Sequence, residues 1–174
     1  MEALQQRLRD LRYWLGTVDG VFGDNTHHAV VVLQKVAGLA PDGVVGAATK
    51  AALEKGVRPH PTTGPGRWVE IDRGSQMLML VDDGNLVWTF DTSTGRKGFT
   101  TPLGEFTIYD QLDGYDPVQA YRPKYFYEKG DLAIHGYKNV PPYPFSHGCA
   151  RVTISAMNFL WDQIPIGTKV LVHE

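Results

Sequence analysis

The chain has one cysteine, Cys149, so no disulfide can form within it and composition leaves the redox compartment open. Long apolar runs are missing. Stretches such as AVVVL at residues 29–33 stop far short of the ~18 residues that span a bilayer, so a membrane-spanning protein is not expected. There is no block of like charges, and a formal net charge of −2 gives no electrostatic reason to expect a nucleic acid partner. The opening residues MEALQQRLRD lack the apolar core and cleavage site of an export signal. No HExxH zinc helix occurs either. What remains is ordinary for a folded protein: 174 residues, 43% hydrophobic and 21% charged, enough for a small domain followed by a larger one.

Leu4, Leu8, Leu11 and Leu15 recur at helical spacing and predict one amphipathic helix of about three turns. A DGVxGxxT unit follows twice. Asp19, Gly20, Val21, Gly23, Thr26 and Ala29 match Asp42, Gly43, Val44, Gly46, Thr49 and Ala52. In each unit Asp-Gly makes a tight turn and the second glycine leads into a helix. Residues 1–55 are therefore expected to form a small all-α three-helix domain with a binding role. His27 and His28 are adjacent, so they point about 100° apart on a helix and are expected to face solvent. Residues 56–66, rich in proline and glycine, are expected to form a semi-rigid linker with His60 on its surface.

From Arg67 the texture changes to short β-favouring runs: WVEID, then QMLMLV and LVWTF around a DDGN turn, then FTI, DLAIHG and TKVLV. Residues 67–174 are expected to form a mainly-β sandwich, antiparallel in its pairings. Its one convincing helix is SAMNFLWDQ, with Thr153 or Ser155 as N-cap. Residues 109–130, with five tyrosines and little periodicity, are expected to be a long aromatic lid or binding loop.

The chemistry concentrates in FSHGCARVT, residues 145–153. Cys149 could be a buried small hydrophobe, a metal ligand or a nucleophile. A nucleophile needs a base, because only the thiolate attacks a carbonyl. His147 lies two residues away, and His135 in AIHGY lies beyond a loop pinned by three prolines, YKNVPPYPFS. Gly148 permits a sharp turn that exposes backbone N–H groups near the thiol, as an oxyanion hole requires. Arg151 favours thiolate and can hold a carboxylate. His135, His147 and Cys149 would also suit a zinc site of three ligands and a water. The residues alone leave the three roles open, with the nucleophile accounting for most of the surroundings.

His135-Gly136 followed by Ser146-His147-Gly148-Cys149-Ala150-Arg151 resembles the signature of the YkuD-type L,D-transpeptidase catalytic domain. QMLMLVDDGNLVWTFDTSTG resembles that family's opening hairpin and STG stretch. TPLGEFTI resembles its TPxGxF segment and IPIGTKVLV its closing strand. Residues 1–55 resemble a helical peptidoglycan-binding domain, marked by the repeated DGxxG turn. Amidases and zinc-dependent D,D-peptidases carry that turn too. The resemblance implies a cysteine acyltransferase that builds 3→3 cross-links in peptidoglycan during cell wall biogenesis. Cys149 would be the nucleophile, His135 the base oriented by the Gly136 carbonyl, and His147 part of the catalytic turn; Ser146, Gly148 and Arg151 would contact substrate. No metal or other cofactor is needed. Stem peptides and glycan are the expected partners, the chain is expected to be a monomer, and the substrate places it outside the cytoplasmic membrane, in cell wall or periplasm. An L,D-carboxypeptidase using water as acceptor is the alternative, and a zinc-dependent wall peptidase a more distant one. Two features depart from the family pattern: only ten residues separate His135 from Ser146, and Arg151 stands where some members have asparagine.

Overall fold

The computed structural model describes residues 1–174. Three helices come first: α1 (Glu2–Asp10), α2 (Asp24–Val36) and α3 (Ala47–Lys55). α1 is shorter than the leucine spacing predicts. Arg12 turns the chain with φ 70°, and Tyr13 forms a parallel bridge with Thr89. Leu11 and Leu15 are buried all the same. The spacing reported which side chains enter the core, and an irregular segment delivers two of them.

The DGV repeat is built around buried glutamines. Gln5 of α1 donates from Nε2 to Asp19 Oδ1 (2.8 Å), Val21 O (3.0 Å) and Thr26 Oγ1 (3.0 Å), and accepts the Gly20 N–H at 2.8 Å. Gln34 of α2 repeats this with Asp42 Oδ1 (2.9 Å), Val44 O (3.0 Å), Thr49 Oγ1 (3.1 Å) and the Gly43 N–H (2.8 Å). Each turn thus wraps a primary amide that satisfies donors and acceptors otherwise stranded from water. Gln34→Ala strands several of them together and is expected to destabilise the fold by about 2–3 kcal/mol. A thermal melt checks this, with exposed Gln6→Ala as the silent comparison.

Residues 67–174 form two sheets. The five-stranded sheet has β1 (Arg67–Asp72), β2 (Met77–Asp82), β3 (Asn85–Asp91), β4 (Gly104–Thr107) and β9 (Lys169–His173) in the order β3-β2-β1-β9-β4. The four-stranded sheet has β5 (Asp110–Gln111), β6 (Tyr121–Tyr127), β7 (Leu132–Gly136) and β8 (Ala150–Val152) in chain order. Positive φ at Asp83 and Gly84 closes the β2–β3 hairpin in the expected DDGN turn. Helix α4 (Ile154–Gln163) is capped by Thr153, whose Oγ1 accepts the Ala156 N–H at 3.1 Å.

Two pairings are not antiparallel as expected. β1 pairs with β9 and β7 with β8 in parallel. A parallel neighbour needs a crossover of a dozen residues or so, and residues 137–149 supply one between β7 and β8. The aromatic stretch 109–130 is also more regular than its lack of periodicity suggests, since β5 and β6 lie within it. β6 tolerates a charged residue in its buried face because Lys124 Nζ reaches Gln111 Oε1 (2.6 Å) and Trp161 O (2.8 Å) and sits 3.9 Å from the Trp161 ring centre.

The continuous apolar run of β2 has a physical reason: both faces of that strand are covered. Leu78 and Leu80 enter the sandwich core with Val69, Ile134, Val152 and Leu160. Met77, Met79 and Val81 enter a second core with Leu8, Tyr13, Val30 and Leu33 of the helical region. Helices and sandwich therefore share one buried interface. His28, expected to face solvent, lies in it, with Nδ1 2.6 Å from Asp91 Oδ2. His27 is half-buried against Gly43, where a Cβ would approach the imidazole to 2.1 Å. Residues 56–66 have no regular secondary structure but are docked. The fully buried Glu70 carboxylate accepts the N–H groups of Thr62 (2.8 Å) and Thr63 (2.6 Å).

Candidate active site

Strand periodicity aims the reactive side chains. On β7, Ile134 points into the core, so Ala133 and His135 point the other way. On β8, Ala150 and Val152 enter the core, which turns Arg151 and the preceding Cys149 to the same side as His135. The register pairs His135 with Arg151. These side chains, with Asp116, Tyr137 and Ser146, line a cavity of about 120 Å³.

The turn bearing the thiol is held from within and from outside. Gly148 has φ 124°. The buried Ser146 hydroxyl donates to Cys149 O at 2.6 Å and accepts the Gly148 N–H at 3.1 Å, so both of its bonds stay inside the turn. Residues 92–101 cradle it. Thr94 O accepts the N–H groups of Phe145 and Ser146, each at 3.0 Å, and Ser93 exchanges two backbone bonds with Arg151 (3.1 and 3.0 Å). Thr101 Oγ1 donates to Gly148 O at 2.7 Å. Gly95 brings the two chains together, because a Cβ there would lie 2.9 Å from Gly148 Cα.

The two histidines differ in kind. His135 is buried, and its Nδ1 lies 2.9 Å from Gly136 O. A carbonyl oxygen only accepts, so Nδ1 carries the hydrogen and Nε2 keeps its lone pair in the neutral ring. Burial pushes the imidazole below its ordinary range; the nearby Arg151 charge adds to this, and the Gly136 bond and Asp116 oppose it. His147 is exposed, with Nε2 3.0 Å from an Arg96 guanidinium nitrogen and its ring edge-on to Phe99 at 4.7 Å between centroids. Guanidinium only donates, so that bond occupies the Nε2 lone pair. His147 is thus tied to the rim. The set considered for zinc is not assembled, and no group of three or more His, Cys, Asp or Glu side chains is placed to hold a metal ion.

Burial pushes the Cys149 thiol up, with Asp116 adding to it, while the Ala133 N–H 3.4 Å from Sγ and the Arg151 charge pull it down. The resting pair is therefore a neutral thiol beside a neutral imidazole. Iodoacetamide labelling of Cys149 is expected to be slow at neutral pH and to rise through an apparent pKa above that of an ordinary thiol, followed by mass spectrometry between about pH 6 and 11. A plateau already reached near pH 7 would contradict this. Arg151 lies with its guanidinium carbon 4.2 Å from the Tyr137 ring centre, and its Nε is buried without a partner.

All seven residues singled out in the sequence converge on this region; Ser146 and Gly148 are occupied in holding the turn. Arg96, Phe99 and Asp116 were not foreseen. Asp116 is placed by its own turn, where Oδ1 accepts the N–H groups of Val118 (3.0 Å) and Ala120 (2.8 Å). Nothing in the sequence around it signals that role.

A two-sheet sandwich with a cysteine turn and an oriented histidine on adjacent parallel strands, joined to a small helical unit, defines the class of cysteine–histidine β-sandwich proteins. The chain belongs to the family of L,D-transpeptidase catalytic domains: the YkuD model matches residues 66–172, and a peptidoglycan binding domain model matches residues 1–53. It is thus a peptidoglycan-modifying enzyme. A solved L,D-transpeptidase from Xylanimonas cellulosilytica is 45% identical, with a TM-score of 0.93 over 99% of this chain and 92% of that one. An L,D-transpeptidase from Stackebrandtia nassauensis shares the fold at 21% identity, with a TM-score of 0.63 over 99% of this chain and 90% of its own. The N-acetylmuramoyl-L-alanine amidase CwlM of Mycobacterium tuberculosis is 48% identical over 50 residues, which are 29% of this chain and 12% of that protein. No helix is long and apolar enough to cross a membrane.

Proposed function

We propose that the chain is an L,D-transpeptidase that forms 3→3 cross-links through a thioester on Cys149. The observation that carries this reading is the neutral His135, its Nδ1–H held by Gly136 O, facing the same cavity as the Cys149 thiol. The thiol proton passes to His135 Nε2 as sulfur bonds to the carbonyl carbon of the third stem residue. The tetrahedral oxyanion is met by the Cys149 N–H, since the Gly148 N–H already serves Ser146. The bond to the terminal D-alanine breaks, and His135 returns the proton to the departing amine. The side-chain amine of a second stem then attacks the thioester, gives up a proton through His135, and releases the thiol. Each half-reaction balances with one shuttled proton and needs no cofactor. The Arg151 guanidinium, stacked on Tyr137, is suited to hold a substrate carboxylate or carbonyl.

The cavity of about 120 Å³ receives the scissile bond, with Asp116, Val118 and Ala120 on its lining. The helical unit raises the concentration of the site at its polymer. Stem peptides and glycan are its partners, and the enzyme works as a monomer outside the cytoplasmic membrane. Incubation with purified tetrapeptide muropeptides, read by mass spectrometry of products and protein, tests the reading. The expected result is a Cys149 adduct, free D-alanine and cross-linked dimers, all absent from Cys149→Ala. D-alanine without dimers makes the enzyme an L,D-carboxypeptidase, and neither product nor adduct ends the proposal.

A further inference from the structure

The helical unit makes a buried side-chain polar cluster with the sandwich, and it falls at the root of the cradle that holds the nucleophile. Lys35, on the last turn of α2, is buried, and its Nζ pairs with the equally buried Asp91 carboxylate at the end of β3. The same ammonium donates to Gln76 O (2.9 Å) and Thr92 O (3.2 Å). His28 Nδ1 closes the cluster on the second Asp91 oxygen. One ammonium from the helices thus gathers three points of the sandwich, all within the segments that lead to the catalytic turn.

From there the connection to the thiol is short. The Gln76 side chain donates to Thr94 Oγ1 (2.7 Å) and accepts the Thr94 N–H (2.8 Å). Thr92 Oγ1 donates to Arg151 O at 2.7 Å. Thr94 O holds the N–H groups of Phe145 and Ser146, and Ser146 in turn holds both Gly148 and Cys149. Gln76 adopts φ 54°, a conformation that a side chain rarely takes unless its bonds fix it. If the helices served only as a tether, a buried apolar contact would suffice. A buried ammonium is costly unless fully paired, and this one is paired on the backbone that carries the site.

We infer that Lys35 is a positioning residue for Cys149, and that the helical unit is a working part of the catalytic site as well as a wall anchor. Loss of the ammonium releases Gln76 and Thr92, lets the 92–95 segment drift, and loosens the nucleophile turn. The thiol then becomes more open to a small reagent while its alignment with His135 and the oxyanion donor is lost. A general loss of stability also slows turnover and exposes a buried thiol, so the test carries a variant destabilised away from the cradle.

The test uses the full chain and compares wild type, Lys35→Met, the double variant Lys35→Met/Asp91→Leu, and Glu70→Gln. The last is destabilised at a buried carboxylate that has no contact with the cradle. Each is assayed at the same interval below its own melting temperature. Lys35→Met is expected to lower kcat for muropeptide turnover about tenfold or more with KM little changed, because misalignment by an ångström is that damaging. Iodoacetamide labelling of Cys149 is expected to become about threefold faster or more in the same protein, as burial of the thiol is relaxed. Glu70→Gln should change neither by more than about twofold. If Lys35→Met does not fold, the double variant is read in its place with the same expectation, since an apolar pair replaces the ion pair at little loss of stability. Equal behaviour of the Lys35 variants and Glu70→Gln overturns the inference. The kcat arm rests on the transpeptidase reading, whereas labelling does not. A wild type without turnover therefore defeats that reading while labelling still decides the role of Lys35.

Discussion

His135→Gln is expected to reduce the rate of acyl-enzyme formation about 10³-fold, the usual contribution of a positioned general base. Glutamine keeps an N–H for the Gly136 carbonyl and roughly fills the imidazole volume, so the strand pair should survive and the melting temperature should move little. What disappears is the Nε2 lone pair. His147→Gln is the matched comparison and is expected to lose less than about tenfold, because Arg96 already occupies that ring's acceptor nitrogen. Single-turnover kinetics with tetrapeptide muropeptides separates the two. Equal losses would mean that the proton does not go to His135.

Gly95→Ala is the second large effect. A Cβ at Gly95 would fall 1.9 Å from Phe99 O, 2.8 Å from Thr101 N and 2.9 Å from Gly148 Cα. All three are backbone atoms, so no rotamer change relieves the contact. The cradle and the nucleophile turn must part, taking with them the Thr101 bond to Gly148 O and the Thr94 bonds to residues 145 and 146. Activity is expected to fall to background, with destabilisation of about 3 kcal/mol or more from overpacking. Melting temperature and turnover are measured together. Gly64→Ala, where an added Cβ meets nothing within 4 Å, should leave both unchanged. Retained activity in Gly95→Ala would show that the cradle tolerates a gap.

How much of this was legible beforehand follows from how local each cause is. The sandwich strands and α4 were readable because alternation, the DDGN turn and the Thr153 cap all act within a few residues. The MLMLV run was readable as a strand, though not that both of its faces would be covered. Proline and glycine punctuation made His135 a candidate partner for Cys149, but the choice of His135 over His147 came from the resemblance and not from spacing. The parallel pairings were hidden, since turn chemistry says nothing about a neighbour far along the chain. The glutamines behind the DGV repeat escaped notice for a geometric reason. Gln5 reaches forward 14 residues to Asp19, but Gln34 reaches only 8 to Asp42, so no fixed offset aligns them. Lys35 and Asp91 are 56 residues apart, and each looks like an ordinary surface charge until α2 packs on the sheet. His28 was misjudged for the same reason, because adjacency to His27 predicts divergence on a helix and not which side a second domain will cover.

The position of β9 has a consequence for how the molecule comes into being. Residues 169–173 supply the strand that lies between β1 and β4 and pairs with both. Until that segment is available, β4 has no neighbour in its sheet and the inner edge of β1 stays open, whatever the preceding residues have done. Closure of the five-stranded sheet thus depends on residues 169–173, and a chain without them leaves two strand edges open to pairing with another molecule.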